Sequence, residues 1–151
     1  MRSRYAAWLA MPKAHSPQTF LSLDLGLRRT GVAFGTAILQ HARSLPTVYA
    51  DTEKKRFAAI AALLGQWQPE ALVLGVPRHP DGQAHEMTQR ALRFGRQLRG
   101  RFGLTVFEVD ERYSSVEAQA QGARDIDAGA AVIILEQFFR EYSPPPSPPS
   151  H

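Results

Sequence analysis

The chain has 151 residues, 44% hydrophobic and 21% charged, ordinary proportions for one globular domain with a real core. It contains no cysteine, which excludes disulfide staples and thiolate-held zinc and fits a reducing cytoplasmic compartment. A formal charge of +4 favours a polyanionic partner, and no apolar run approaches the ~18 residues of a membrane span.

The N-terminal stretch MRSRYAAWLAMPKAHSPQ places two arginines before a short apolar segment, Tyr5 to Met11. That segment is short for a signal-peptide core and lacks a clear small-residue cleavage site. Residues 1–17 therefore read as a loosely ordered extension, with Met11 an alternative start. From Ser143 the sequence SPPPSPPSH is nearly all Ser and Pro and reads as a disordered or polyproline tail over residues 143–151. The folded domain is expected over residues 18–142.

Phe20 to Leu25 reads as a buried strand. A short turn joins it to Gly31–Thr36, so the two predict a hairpin. Ala42 to Tyr49 predicts a third strand, pushed to an edge by Pro46. Asp51-Thr52-Glu53 then opens a helix whose stripe is Phe57, Ile60, Ala61, Leu64 and Trp67. Gln68-Pro69 ends it. Ala71 to Val76 is a continuous apolar run, the pattern of a central, doubly covered strand. A turn rich in breakers follows: Pro77, Pro80 and Asp81-Gly82.

A second helix is predicted from about Ala84 to Arg101, with Met87, Ala91, Phe94 and Leu98 inward. Arg90, Arg93, Arg96 and Arg99 step by three across its other side. They read either as a phosphate-binding face or, more ordinarily, as a solvated surface. Leu104 to Asp110 predicts a fifth strand. Ser114-Ser115-Val116-Glu117 has capping-box spacing and predicts a short helix, and a last helix is expected from about Asp125 to Tyr142. The order gives an α/β layer protein with an antiparallel meander at one side.

Three places carry acids in unusual context. Asp24 ends a hydrophobic strand, Asp110-Glu111 ends the fifth strand, and Asp127 opens the last helix. Ala130, Ala131, Ile134 and Phe138 follow Asp127 at i+3, i+4, i+7 and i+11, so it shares the stripe that this helix buries. An acid facing the helix dipole explains its position but not its face. Strand ends and a helix start can converge on one edge of a sheet. Carboxylates gathered there would repel one another, and a divalent cation removes the conflict; Mg²⁺ takes such oxygen ligands and needs only a few of them.

Together, "LDLGLRRTGVAFG", "LVLGVPRHPDG", "VDERYSSVEA" and "DAGAAVIILEQF" resemble the YqgF/RuvX family. These are described as pre-16S rRNA nucleases with an RNase H-like fold and as Holliday-junction-resolvase-like. The resemblance spans about residues 20 to 139. It implies a five-stranded mixed sheet flanked by helices, with an acid cluster that holds a divalent metal. The family's acids map to Asp24, to Asp110 and Glu111, and to Asp127, and its Gly-Leu-Pro loop to Gly75-Val76-Pro77. This chain departs from the pattern in three places. Gly35-Thr36 stands where an acid is usual, and Ser114-Ser115 where two threonines are usual. Gln119 to Arg124 replaces a longer lysine-rich loop expected to meet nucleic acid.

The reading that follows is a metal-dependent nuclease. Asp24, Glu111 and Asp127 hold Mg²⁺ or Mn²⁺, with Asp110 beside them among the catalytic acids, for in-line attack of water on phosphorus. Arg28, Arg29, Arg78 and Arg112 are candidates for flanking phosphates. His79 and His85 flank the Pro-Asp-Gly turn and read as surface histidines before a general acid. The substrate is nucleic acid, RNA favoured over DNA, with no membrane partner and either a monomer or a homodimer. A nuclease of DNA junctions or single strands is one rival. A catalytically idle nucleic-acid-binding factor is another. An actin-like nucleotide-binding domain is a third, although it needs a second phosphate loop that this length cannot supply.

Overall fold

The computed structural model of the protein describes residues 16–78, 85–111 and 126–142. Among them the strands are β1 (Thr19–Leu25), β2 (Arg29–Thr36), β3 (His41–Tyr49), β4 (Ala71–Val76) and β5 (Thr105–Asp110). The helices are α1 (Glu53–Trp67), α2 (Glu86–Phe102) and α3 (Ile126–Glu141). The sheet order is β3-β2-β1-β4-β5, with β1, β2 and β3 antiparallel neighbours and β1, β4 and β5 parallel. This is the predicted five-stranded mixed sheet. The expected short helix near Ser114, the N-terminal extension and the proline-rich tail lie outside the described residues.

Period-two alternation divides β1 between two cores. Leu21 and Leu23 join Val32, Leu72 and Leu74 against Phe57 and Ile60 of α1 and Phe94 and Leu98 of α2. Phe20 turns the other way, with Ala71, Val73 and Val109, against Ile134, Leu135, Phe138 and Phe139 of α3. β4 is buried along its whole length, as a central strand covered on both faces must be. A fully buried side chain such as Ile134 contributes about 1.5–3 kcal/mol.

Pro46 does sit on an edge strand, and the ladder shows how it is tolerated. Thr30 pairs with Val48 and Val32 with Leu45, so β3 carries one extra residue opposite Gly31. Pro46 occupies that bulge, where a missing N–H breaks no ladder bond.

α1 starts as predicted, with the Thr52 hydroxyl capping the Lys55 N–H at 3.2 Å. Phe57, Ile60, Leu64 and Trp67 of its expected stripe pack on the core, whereas Ala61 is exposed and Ala59 and Leu63 widen the buried face. Trp67 lies beside Phe34, with the Arg43 guanidinium 5.4 Å from its ring centre. In α2 the buried row is Thr88, Ala91, Phe94, Gly95 and Leu98, so Thr88 takes the inward place expected of Met87. The Thr88 hydroxyl donates to the Pro77 carbonyl, a bond that methionine cannot make.

α3 runs antiparallel to β1. Phe20, near the start of β1, meets Phe138, Phe139 and Tyr142, with ring centres 5.0 to 5.7 Å apart. Two residues on, Ser22 Oγ donates to the Ala131 carbonyl at 2.8 Å. The start of α3 therefore stands over the end of β1. No helix among the described residues is long and apolar enough to cross a membrane.

Candidate active site

Parallel pairing of β1, β4 and β5 brings their carboxyl ends to one edge, where open α/β sheets bind ligands. Asp24 is the penultimate residue of β1 and Glu111 directly follows β5. Alternation puts Asp24 on the α3 face, the face of Phe20 and Ser22. Glu111 shares it, being two residues beyond Val109. β4 lies between them, and its residue on that face at this level is Gly75.

Gly75 is what lets the Glu111 side chain lie over β4, toward the strand that carries Asp24. Two strand spacings, about 10 Å, separate the β1 and β5 backbones. The Glu111 side chain reaches back across β4, and a Cβ on Gly75 would collide with its carboxylate and with Cδ1 of Ile134. The Glu111 backbone is fixed as well, because its N–H donates to the Val76 carbonyl at 3.1 Å and so extends the ladder. Gln137 of α3 donates to the Asp110 carbonyl at 3.2 Å, tying helix to strand end.

Asp110 points to the opposite face, and its carboxylate receives Nε of Arg78 at 2.8 Å. Of the two neighbouring acids, the structure thus puts Glu111 on the side of Asp24 and commits Asp110 to an arginine. Asp127 lies in the first turn of α3, and the antiparallel register sets its backbone beside the Asp24 end of β1. The row that follows it, Ala130, Ala131, Ile134 and Phe138, is buried as expected. The Asp127 side chain lies outside the described residues.

Among the described residues, no group of three or more His, Asp and Glu side chains converges as a metal site. The described part is the pair Asp24 and Glu111. Its chemistry suits a hard divalent cation: two acids on one face of the sheet, with the Glu111 carboxylate lying over Gly75, where any larger residue would displace it.

The turn after Asp24 is held tightly. Gly26 N–H donates to the Arg29 carbonyl at 2.7 Å, and a Cβ on Gly26 would strike that same oxygen. Arg56 of α1 donates to the Leu27 carbonyl at 2.6 Å and the Gly26 carbonyl at 3.4 Å. Arg28 and Arg29 are exposed on this turn, while Arg112 and His79 lie outside the described residues. His85 is a cap: its Nδ1 accepts the Met87 N–H at 3.2 Å while its own N–H donates to the Thr88 hydroxyl at 3.0 Å. Gly35, where the family pattern has an acid nearby, has no room for a side chain: a Cβ there would meet the His41 backbone carbonyl at 2.5 Å, the Phe139 ring at 3.0 Å and Leu135 at 3.2 Å.

Two residues were missed in the sequence. Ser22 is the hydroxyl that registers α3 on β1, and its signal was a lone polar residue two positions before Asp24. Gly75 falls in the predicted strand and matches the family's loop, but the room its missing side chain makes for Glu111 has no signal in the sequence.

Known proteins resemble this chain in sequence and in fold. The profile of the family described as "RuvX: Holliday junction resolvase" matches residues 18–141. A protein of Albidiferax ferrireducens named "Putative pre-16S rRNA nuclease" is 61% identical over 82% of this chain and 78% of its own length. One of the same name from Polaromonas is 58% identical over 82% of this chain and 88% of its own. Among solved structures, T. thermophilus RuvC in complex with a Holliday junction substrate superposes with a TM-score of 0.54 at 14% identity, over 82% of this chain and 94% of that one. The fowlpox virus Holliday junction resolvase gives 0.55 at 11% identity, over 82% and 99%. The two superpositions carry the fold, an RNase H-like one, and the family match with its close relatives carries the kinship: the chain belongs to the RuvX family.

Proposed function

We propose that the chain is a divalent-metal-dependent nuclease that hydrolyses phosphodiester bonds in processing the 5′ end of pre-16S rRNA. The observation that carries this is the placement of Asp24 and Glu111 on one face of the sheet's carboxyl edge, over the gap at Gly75. The names of the close relatives favour the pre-rRNA substrate.

Asp24, Glu111 and Asp127 are the residues that would hold Mg²⁺ or Mn²⁺. When bound, such an ion neutralises phosphate charge and lowers the pKa of water, so that a nucleophile exists near neutral pH. The Glu111 main chain is held by its ladder bond, which fixes the point on the sheet edge from which its carboxylate would reach a cation. Arg78, steadied by Asp110, and the exposed Arg28 offer guanidinium groups to phosphates on either side of the cut. In-line attack would leave a 5′-phosphate on the product.

A second reading, cleavage of branched DNA, is favoured by the family's description. One gel assay tests both. Purified protein is mixed with structured RNA, single-stranded DNA and a four-way junction, each with Mg²⁺, Mn²⁺ or chelator. Cleavage of RNA that needs metal and disappears in Asp24→Asn is the expected result. Preferential cutting of the junction would select the second reading, and metal-independent cutting would reject the proposed chemistry.

A further inference from the structure

A cavity of about 270 Å³ opens on the other face of the same sheet edge. It is bounded by the turn from Leu25 to Leu27, by the start of α1, and by one side of α2. Leu25 follows Asp24 directly and turns into the α1 and α2 core, so the cavity begins one residue beyond the acid. The turn spans at most ~10 Å of backbone. A strand lying across the edge can therefore touch both places.

The cavity is cationic once its pairings are followed. Arg56, Arg90 and Arg93 line it, as do Asp51 and Glu53. Asp51 is paired with Lys55 at 3.1 Å, while Glu53 accepts from the neutral Gln97 amide and keeps its charge, against which Arg56 and Arg93 together leave the cavity net positive. Arg56 is bonded to two turn carbonyls, which are neutral, so its charge stays uncompensated. Arg90 meets Glu86 at 3.1 Å in an exposed i,i+4 pair, an interaction weak enough for a phosphate to displace. Arg93 has no ion-pair partner among the described residues.

The arginine row of α2 divides accordingly. Arg99 is spent on the Val106 carbonyl and on Glu108, at 2.8 and 3.3 Å. Arg96 is exposed and lies off the cavity. Arg90 and Arg93 open onto it, above an apolar wall that includes Leu25 and Phe94. Guanidinium groups over such a wall suit the phosphate and sugar of a nucleotide.

We propose that this cleft is a second phosphodiester-binding site, gripping the substrate strand beside the bond to be cut. The identity of the strand rests on the nuclease reading; the anion site rests on the cleft itself.

Binding of a 5′-labelled single-stranded RNA, read by fluorescence anisotropy in chelator, tests it without cleavage. Arg90→Ala with Arg93→Ala is expected to raise Kd ~10-fold or more, and to make the salt dependence shallower by about one to two phosphate contacts. Arg96→Ala, on the same helix but off the cavity, is expected to stay within about twofold of wild type. Equal weakening by Arg96→Ala would show diffuse surface charge and overturn the site, as would unchanged binding in the double variant. Arg93→Gln keeps the side-chain bulk and decides the matter if the double variant melts early. Asp24→Asn separates this proposal from the nuclease reading: it should cut nothing, while adding Arg90→Ala with Arg93→Ala to it should still raise Kd ~10-fold. Wild-type protein that binds through Arg90 and Arg93 but never cleaves with Mn²⁺ would leave the cleft standing and remove the nuclease.

Discussion

Ser22 Oγ donates to the main-chain carbonyl of Ala131 at 2.8 Å, fully buried between β1 and α3. The bond fixes the height of the helix on the strand. Asp24 lies two residues along β1 on the same face, and Asp127 lies one turn back along α3. One hydroxyl therefore sets the register between two elements that each carry a candidate acid. Ser22→Ala is expected to cost ~1 kcal/mol in chemical denaturation, the net worth of one such bond. Single-turnover cleavage is expected to fall severalfold, more than the lost stability accounts for at a temperature where both proteins are folded. Unchanged cleavage would show that the helix start is positioned by its apolar row alone.

Gly75 tests the space between the acids. A Cβ there meets the Glu111 carboxylate and Ile134. Gly75→Ala must push one of them aside, and overpacking of this kind costs about 1–3 kcal/mol. The carboxylate can swing away more easily than the buried isoleucine can move. The expected result is a folded protein with cleavage reduced ~10-fold or more, measured beside its thermal melt. Wild-type cleavage in a folded Gly75→Ala would place the reactive centre elsewhere.

Asp110 and Glu111 are neighbours in sequence and opposite in duty. Asp110→Asn loosens the grip on Arg78, a partly exposed pair worth about 0–1 kcal/mol. It is expected to raise KM by a few fold with little change in kcat. Glu111→Gln is expected to lower kcat by ~10²-fold, because it removes a charge from the catalytic face. Steady-state kinetics on one RNA substrate compare them, and a reversed pattern would exchange their roles.

Tyr142, just past α3, donates its hydroxyl to the Pro17 carbonyl at 3.2 Å. Burial, and then the charge of Glu70, raises its pKa above the ordinary tyrosine value. The folded state thus holds this proton more tightly than the unfolded chain. That contribution to stability is complete below about pH 10 and is lost as pH rises through the folded value. Thermal melts across the alkaline range are expected to fall less steeply for Tyr142→Phe than for wild type.

Much of this was legible in the sequence, and what was not has physical causes. Asp24 stood out because a carboxylate in a run of leucines needs a reason. Pro46 announced an edge, since it removes a ladder donor. The choice between Asp110 and Glu111 was hidden because Val106 and Val109 have opposite parity, so the apolar residues of β5 fit either phase. Only the sheet's two cores settle it. Ala61 was read as buried because the helical period was taken from apolar identity, and alanine sits as well in solvent as inside. His85 escaped notice as a cap because Ser, Thr, Asn and Asp dominate that position.

On the proposed chemistry, the acids at the carboxyl edge of the sheet act together on a divalent ion. Asp127→Asn tests this most directly, through thermal melts in chelator and single-turnover cleavage in Mn²⁺. Without metal, removing one of several gathered negative charges should leave the protein as stable as wild type or more so. With Mn²⁺, loss of a ligand should cut cleavage by ~10²-fold or more. A purely structural acid at a helix start would change neither, since asparagine caps nearly as well. If Asp127→Asn unfolds the protein, or cuts RNA at the wild-type rate, the acids do not form the site described.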